Sequence, residues 1–235
     1  MQRNIKCKAF MIKLSTIPMP DEEVAFVTQA YEAGSVILEY GSGQTTRIAA
    51  KMPGKLVFSV ETDLIWAMEL QRELDEAGTA SPVIVYHTHI GETVQWGRPV
   101  LTEDSWRLFH KTALDIWDEP FFREPDVVLI DGRLRMGCLA TVMMYTKKPV
   151  TVLFDDYDDR PMYQIVERLI KPVRVVGRMA QFDVVPDMID KSDAGFMISL
   201  FSTMSLSGTK IEFYKDRVFP WQTADEVAPA PDAEE

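Results

Sequence analysis

The stretch Val36-Ile37-Leu38-Glu39-Tyr40-Gly41-Ser42-Gly43-Gln44-Thr45-Thr46 reads as a buried strand running straight into a glycine turn. An uninterrupted run of Val, Ile and Leu suits a parallel strand covered on both faces. Gly41 and Gly43 let the backbone turn sharply and approach a ligand where a Cβ would collide. Glu39 sits two residues before the first glycine, and a carboxylate at the end of an apolar strand is costly to bury without a partner. A ligand ammonium is one natural partner.

A second apolar strand, Lys55-Leu-Val-Phe-Ser-Val-Glu61-Thr-Asp63, also ends in acid, and Glu61 lies twenty residues after Gly41. Nucleotide-binding doubly wound folds place an acid at about that distance, where it accepts hydrogen bonds from both ribose hydroxyls. A nicotinamide dinucleotide fingerprint needs a third glycine three positions after the second, and Thr46 stands there. That glycine allows close helix packing so that the helix N-terminus faces a pyrophosphate.

Together the two segments resemble the class I S-adenosylmethionine-dependent methyltransferases, whose first motif is acid-x-Gly-x-Gly and whose second strand closes on an acid. The resemblance implies S-adenosylmethionine as cofactor, with Glu39, Gly41, Ser42 and Gly43 around its methionine portion, Glu61 on the ribose and His89 near the adenine. S-adenosylmethionine has no phosphate, so the missing third glycine is no obstacle.

Working outward, Asp21 to Ala33 has helical spacing, with acids and Pro20 at its start and Gly34 at its end. Thr45 to Lys51 and Asp63 to Ala77 are the expected crossover helices, the latter with Leu64, Ala67, Met68 and Leu74 inward and Gly78 as its stop. Strands are expected at Pro82–His87, Asp126–Asp131 and Val150–Asp155, with helical segments near Arg135–Tyr145 and Met162–Leu169. Val173–Gly177 and Ala180–Val185 read as two closely joined strands, and Asp193–Leu206 as a packed helix or strand. This alternation predicts an α/β, Rossmann-like doubly wound sheet in a three-layer α/β/α sandwich, mostly parallel. The resemblance, which covers about residues 20 to 186, adds an antiparallel last strand. Residues 1–19 are taken as an N-terminal arm for which an extra strand or a dimer contact stays open, 20–221 as the methyltransferase-like domain, and 222–235 as a disordered acidic tail.

Two further acidic strand tips are Asp131-Gly132-Arg133 and Asp155-Asp156-Tyr157. They resemble part of the metal site of catechol-type O-methyltransferases, which implies Mg2+ on Asp131, Asp155 and Asp156 and makes Asp131 the catalytic or substrate-side candidate. That family's catalytic lysine falls at Leu134, so base chemistry by that route is in doubt, and the aspartates have the alternative of capping turns or pairing with Arg160. Arg133 or Arg135 is suited to holding an acidic substrate, though not to accepting a proton. His87 and His89 are spaced for one face of a strand, but two ligands without a third make a weak zinc site.

The connection from His89 to Pro125 is long for a loop and carries Trp96, Arg98, Trp106, Trp117, Phe121 and Phe122. A helix is expected near Glu103–Ile116, with the aromatics either forming a lid or anchoring an insertion to the sheet. At 235 residues with 46% hydrophobic content, one soluble domain is expected. There is no apolar run long enough for a membrane span and no secretory signal pattern, so the expected location is cytoplasmic. Cys7 and Cys138 make no metal or redox spacing. A net charge of −11 argues against nucleic acid; a small-molecule or sugar hydroxyl fits it better as methyl acceptor, with a protein acceptor left open. The alternatives are a non-catalytic binding or assembly module on the same fold, and a nucleotide-sugar transferase.

Overall fold

The computed structural model describes residues 18–202 apart from 101 and 103. Most of the expected arm, Cys7 and the acidic tail therefore lie outside the described residues. Seven strands make one sheet: β1 (Val36–Tyr40), β2 (Leu56–Glu61), β3 (Val83–His87), β4 (Val127–Ile130), β5 (Val150–Phe154), β6 (Arg174–Val176) and β7 (Met179–Val184), in the order β3-β2-β1-β4-β5-β7-β6. β1 to β5 pair in parallel, β7 is antiparallel to β5, and β6 is antiparallel to β7. The strand order reverses between β1 and β4, so their carboxyl ends flank the crevice where doubly wound folds bind ligands.

The longer α-helices are α1 (Asp21–Ala33), α2 (Gln44–Lys51), α3 (Leu64–Ala77), α4 (Arg135–Tyr145) and α5 (Ala194–Ser202). Period-two alternation splits the apolar strands between two layers. Ile37, Val57, Val127 and Leu129 share a cluster with Phe26, Val27 and Tyr31 of α1 and Ala49 of α2. Their neighbours Leu38, Phe58, Val128 and Ile130 pack with Leu139 and Val142 of α4 and Phe196 and Leu200 of α5. Covered on both faces, the strands can be continuous apolar runs.

Two expectations need correction. In α3 the buried row is Ala67, Leu70 and Leu74, while Leu64 and Met68 are 48% and 61% exposed. Asp63 caps the helix by accepting from Trp66 N–H at 3.0 Å, and the buried row then faces Val83 and Val85, with Met68 turned about 100° away from Ala67. The Glu103–Ile116 region is three short pieces, 3-10 helices Ser105–Leu108 and Asp115–Asp118 around an α-turn Lys111–Leu114. Bonds such as Ala113 N–H to His110 O close these turns tightly, as in other short 3-10 pieces. Trp117 and Phe122 anchor this connection, whereas Trp96 and Trp106 are 46% and 61% exposed. Tyr40 Oη donates to Ala113 O at 2.8 Å and accepts from Trp117 Nε1 at 2.7 Å, and the Phe122 ring lies 5.0 Å from Phe58.

Candidate functional site

At the tip of β1, Gly41 has φ +101°, and a Cβ there would lie 2.7 Å from the backbone N of Gly132. A Cβ on Gly132 would in turn lie 2.9 Å from Gly41 N. Glycine against glycine is what lets the β1 and β4 tips touch, bringing Asp131-Gly132-Arg133 beside the glycine turn. At Gly43, by contrast, no atom lies within 4 Å of a would-be Cβ, so the backbone there faces open space.

Glu39 does not wait for a ligand ammonium. It is fully buried, and Tyr31 Oη donates to Oε1 at 2.6 Å while Thr46 Oγ1 donates to Oε2 at 2.5 Å. Burial pushes its pKa up, against the pull of the bonds from Thr46 and Tyr31. Thr46 also accepts the Gly43 N–H at 2.9 Å. The residue at the absent third glycine therefore ties the turn to the buried acid beneath it.

Glu61 reaches the turn from β2. Its Oε2 accepts from Ser42 N–H at 3.2 Å and from Ser42 Oγ at 2.7 Å, and its Oε1 accepts from the Thr62 and Asp63 N–H groups at 2.7 and 2.9 Å. Trp66 Nε1 holds the Ser42 carbonyl at 3.0 Å. A short antiparallel ribbon, Thr93–Val94 with Arg98–Pro99, seats its turn on the same tip. Thr62 Oγ1 donates to Gly97 O at 2.9 Å, and any Cβ on Gly97 would collide with Thr62 Oγ1. The preceding Trp96 has φ +68°, a costly conformation for an indole-bearing residue, and its carbonyl accepts from Arg133 Nε at 2.9 Å. This turn bridges the β2 and β4 tips. His87 pairs in register with Glu61, and the exposed His89 ring lies 6.4 Å from that of His87. Burial and the neighbouring His89 lower the His87 pKa.

The structure does bring Asp131, Asp155 and Asp156 together, but around guanidinium groups. Arg135 lies 3.1 Å from Asp131 Oδ1, 2.8 Å from Asp156 Oδ2 and 3.6 Å from Asp155 Oδ2. Arg160 is 2.8 Å from Asp156, and Arg178 is 3.0 Å from both Asp155 and Asp156. Among the described residues no group of three or more His, Cys, Asp or Glu side chains is placed to hold a metal ion. The carboxylates' charge is already met by arginines, so the expected Mg2+ site is not formed. Asp131 and Asp155 also share a hydrogen bond. Burial raises the Asp131 pKa well above the usual carboxylate range, with Asp155 and Asp156 adding to the rise. Burial acts on Asp155 in the same sense but is outweighed by the bond from Asp131 and by Arg135 and Arg178, so its pKa falls.

Sequence reasoning missed Arg135 and Arg178 as the cations of this network. Arg135 is buried and committed, also donating to the backbone oxygens of Asp131, Gly132 and Asp155, so it is not free for a substrate. Its position two residues after Arg133, in the first turn of a helix that follows an acidic strand tip, was the available signal. A groove of about 560 Å³ between α3 and β3 is lined by Ala67, Met68, Gln71, Val85 and His87, apart from the glycine turn.

No protein-family model and no curated protein matches the chain. Among solved structures, a methyltransferase-like protein from Silicibacter pomeroyi DSS-3 is 38% identical, with a TM-score of 0.75, over 80% of this chain and 97% of that one. A cofactor-bound protein from MTB, 16% identical with a TM-score of 0.51 over 74% of this chain and 85% of its own, shares the fold. With that identity, the 3-2-1-4-5-7-6 strand order and the acid-tipped β1 and β2, the chain belongs to the class I S-adenosylmethionine-dependent methyltransferase superfamily.

Proposed function

We propose that this protein transfers a methyl group from S-adenosylmethionine to a hydroxyl of a small molecule or sugar. The observation that carries the reading is the meeting of the glycine turn and Glu61, with Ser42 Oγ 2.7 Å from the Glu61 carboxylate. The residues fit the cofactor: Gly43 leaves backbone open to an approaching ligand, and Glu61 stands at the tip that takes a ribose in this fold. Each Glu61 oxygen already accepts two bonds, so rotation of the Ser42 hydroxyl is what frees Oε2 for a ribose hydroxyl. Gly41, Ser42 and Gly43 would line the methionine portion, with Glu39 beneath them fixing the turn through Thr46, and His89 would stand near the adenine. The cofactor supplies an electrophilic methyl group on a sulfonium, and the chain's part is chiefly to hold the acceptor in line with it.

On the acceptor side, Asp131 is the group for moving a proton. Burial holds the Asp131 carboxyl above the ordinary carboxylate range, and it takes the proton of the acceptor hydroxyl in its ionised form. Leu134 replaces the lysine of the metal-dependent enzymes, and with the aspartates tied to arginines this favours a reaction run by orientation and Asp131.

Isothermal titration with S-adenosylmethionine tests the reading. Glu61→Ala should weaken binding roughly 10- to 100-fold, the worth of hydrogen bonds to a charged group. Folded protein that binds none at millimolar concentration would leave the non-catalytic module as the surviving interpretation.

A further inference from the structure

We infer that the acceptor carries an anionic group and that Arg133 binds it, a step that rests on the methyl-transfer reading above. Arg133 stands directly after Gly132, at the tip of β4 that touches the cofactor turn. The neighbouring cations are spoken for: Arg135 by Asp131 and Asp156, Arg160 by Asp156, and Arg178 by Asp155, Asp156 and Glu23. Among the described residues Arg133 has no carboxylate partner, although it is half-buried.

That isolation is costly. Burial and the surrounding Arg135, Arg160 and Arg98 lower the Arg133 pKa. A desolvated guanidinium among like charges is stabilised by an anion, and charge-assisted bonds to a carboxylate or phosphate are the strong ones. The geometry is also prepared. The Trp96 carbonyl, presented by a left-handed backbone, takes only the Nε–H at 2.9 Å, leaving the paired Nη edge of the fork for a planar or tetrahedral anion. Backbone strain held at such a point is characteristic of ligand clamps. The Trp96 side chain is 46% exposed at the same turn, giving an apolar surface for the rest of the acceptor.

The test compares benzoate with benzamide, which share a ring and differ in charge, by saturation-transfer NMR on the full chain, with S-adenosylmethionine titrated in parallel. Benzoate should bind roughly tenfold or more tighter than benzamide. Arg133→Gln should abolish that preference while cofactor affinity stays unchanged, and Arg133→Lys should retain part of it. Equal affinity for the two probes, or a preference that survives in Arg133→Gln, would overturn the inference while leaving methyl transfer intact. Failure of the wild type to bind S-adenosylmethionine would instead sink the methyl-transfer reading, and with it the status of the anion as an acceptor.

Discussion

Replacing Arg135 with Met tests whether the three aspartates form an arginine-compensated network. Arg135 is 5% exposed, and removing it strips Asp131 of a partner at 3.1 Å and Asp156 of one at 2.8 Å. It also leaves the carbonyls of Asp131, Gly132 and Asp155 without a donor. Breaking a buried ion pair from one side costs about 3–5 kcal/mol. Asp156 keeps Arg160 and Arg178, and Asp155 keeps Arg178, so the low end, about 3 kcal/mol, is expected at neutral pH. For a domain of this size that lowers Tm by roughly 6–12 °C. The pH dependence follows from linkage. Without the cation the native carboxyl pKa values rise above their unfolded values, so the variant's native state gains protons as pH falls. Its deficit against wild type is therefore largest near pH ~7 and shrinks toward about pH 5. Adding Asp131→Asn should recover about 1 kcal/mol or more, because the two sites share one interaction. Urea unfolding across this pH range is the assay. A loss under about 1 kcal/mol, or one that does not vary with pH, would refute the account.

The two glycines near the cofactor turn should separate. Gly132→Ala places a Cβ 2.9 Å from the backbone N of Gly41 and should cost about 1–3 kcal/mol in urea unfolding, whereas Gly43→Ala, facing open space, should keep stability within about 0.5 kcal/mol and weaken S-adenosylmethionine in titration. Equal stability losses would contradict this division. Ser42→Ala frees Glu61 Oε2 and should leave cofactor affinity unchanged or tighter; a tenfold loss, roughly 1.4 kcal/mol, would mean that the hydroxyl itself contacts the cofactor. Glu39→Gln addresses the buried acid. Its native pKa is raised above the ordinary 4.5, so wild-type stability falls as pH rises from there through the native value, and the variant should lack that fall. A constant difference between wild type and variant from about pH 4 to pH 7 would count against it.

The acidic strand tips were legible because each follows an apolar run, and apolar runs announce buried parallel strands whatever lies around them. Their partners were not. Tyr31, on α1, meets Glu39 only after the helix packs on the sheet, and Thr46 reads in sequence merely as a glycine that is missing. The α3 phase failed for a related reason: Met68 fits a helical stripe, but the Asp63 cap turns Leu70 inward instead. Periodicity specifies that a helix has an inner face, while the cap and the strand beneath it select which face that is.

The four acids also look alike in the sequence, and only their donors tell them apart. Glu61 is held mostly by backbone N–H groups and a serine hydroxyl, which a ribose can replace or supplement at little electrostatic cost. Asp131, Asp155 and Asp156 are held by guanidinium groups, which a divalent cation would have to expel against their charge. Carboxylates at successive strand tips thus differ in what holds them: backbone and hydroxyl donors at one end of the crevice, guanidinium groups at the other. Among the described residues Arg133 has no carboxylate partner, and it stands beside the point where the β1 and β4 tips touch.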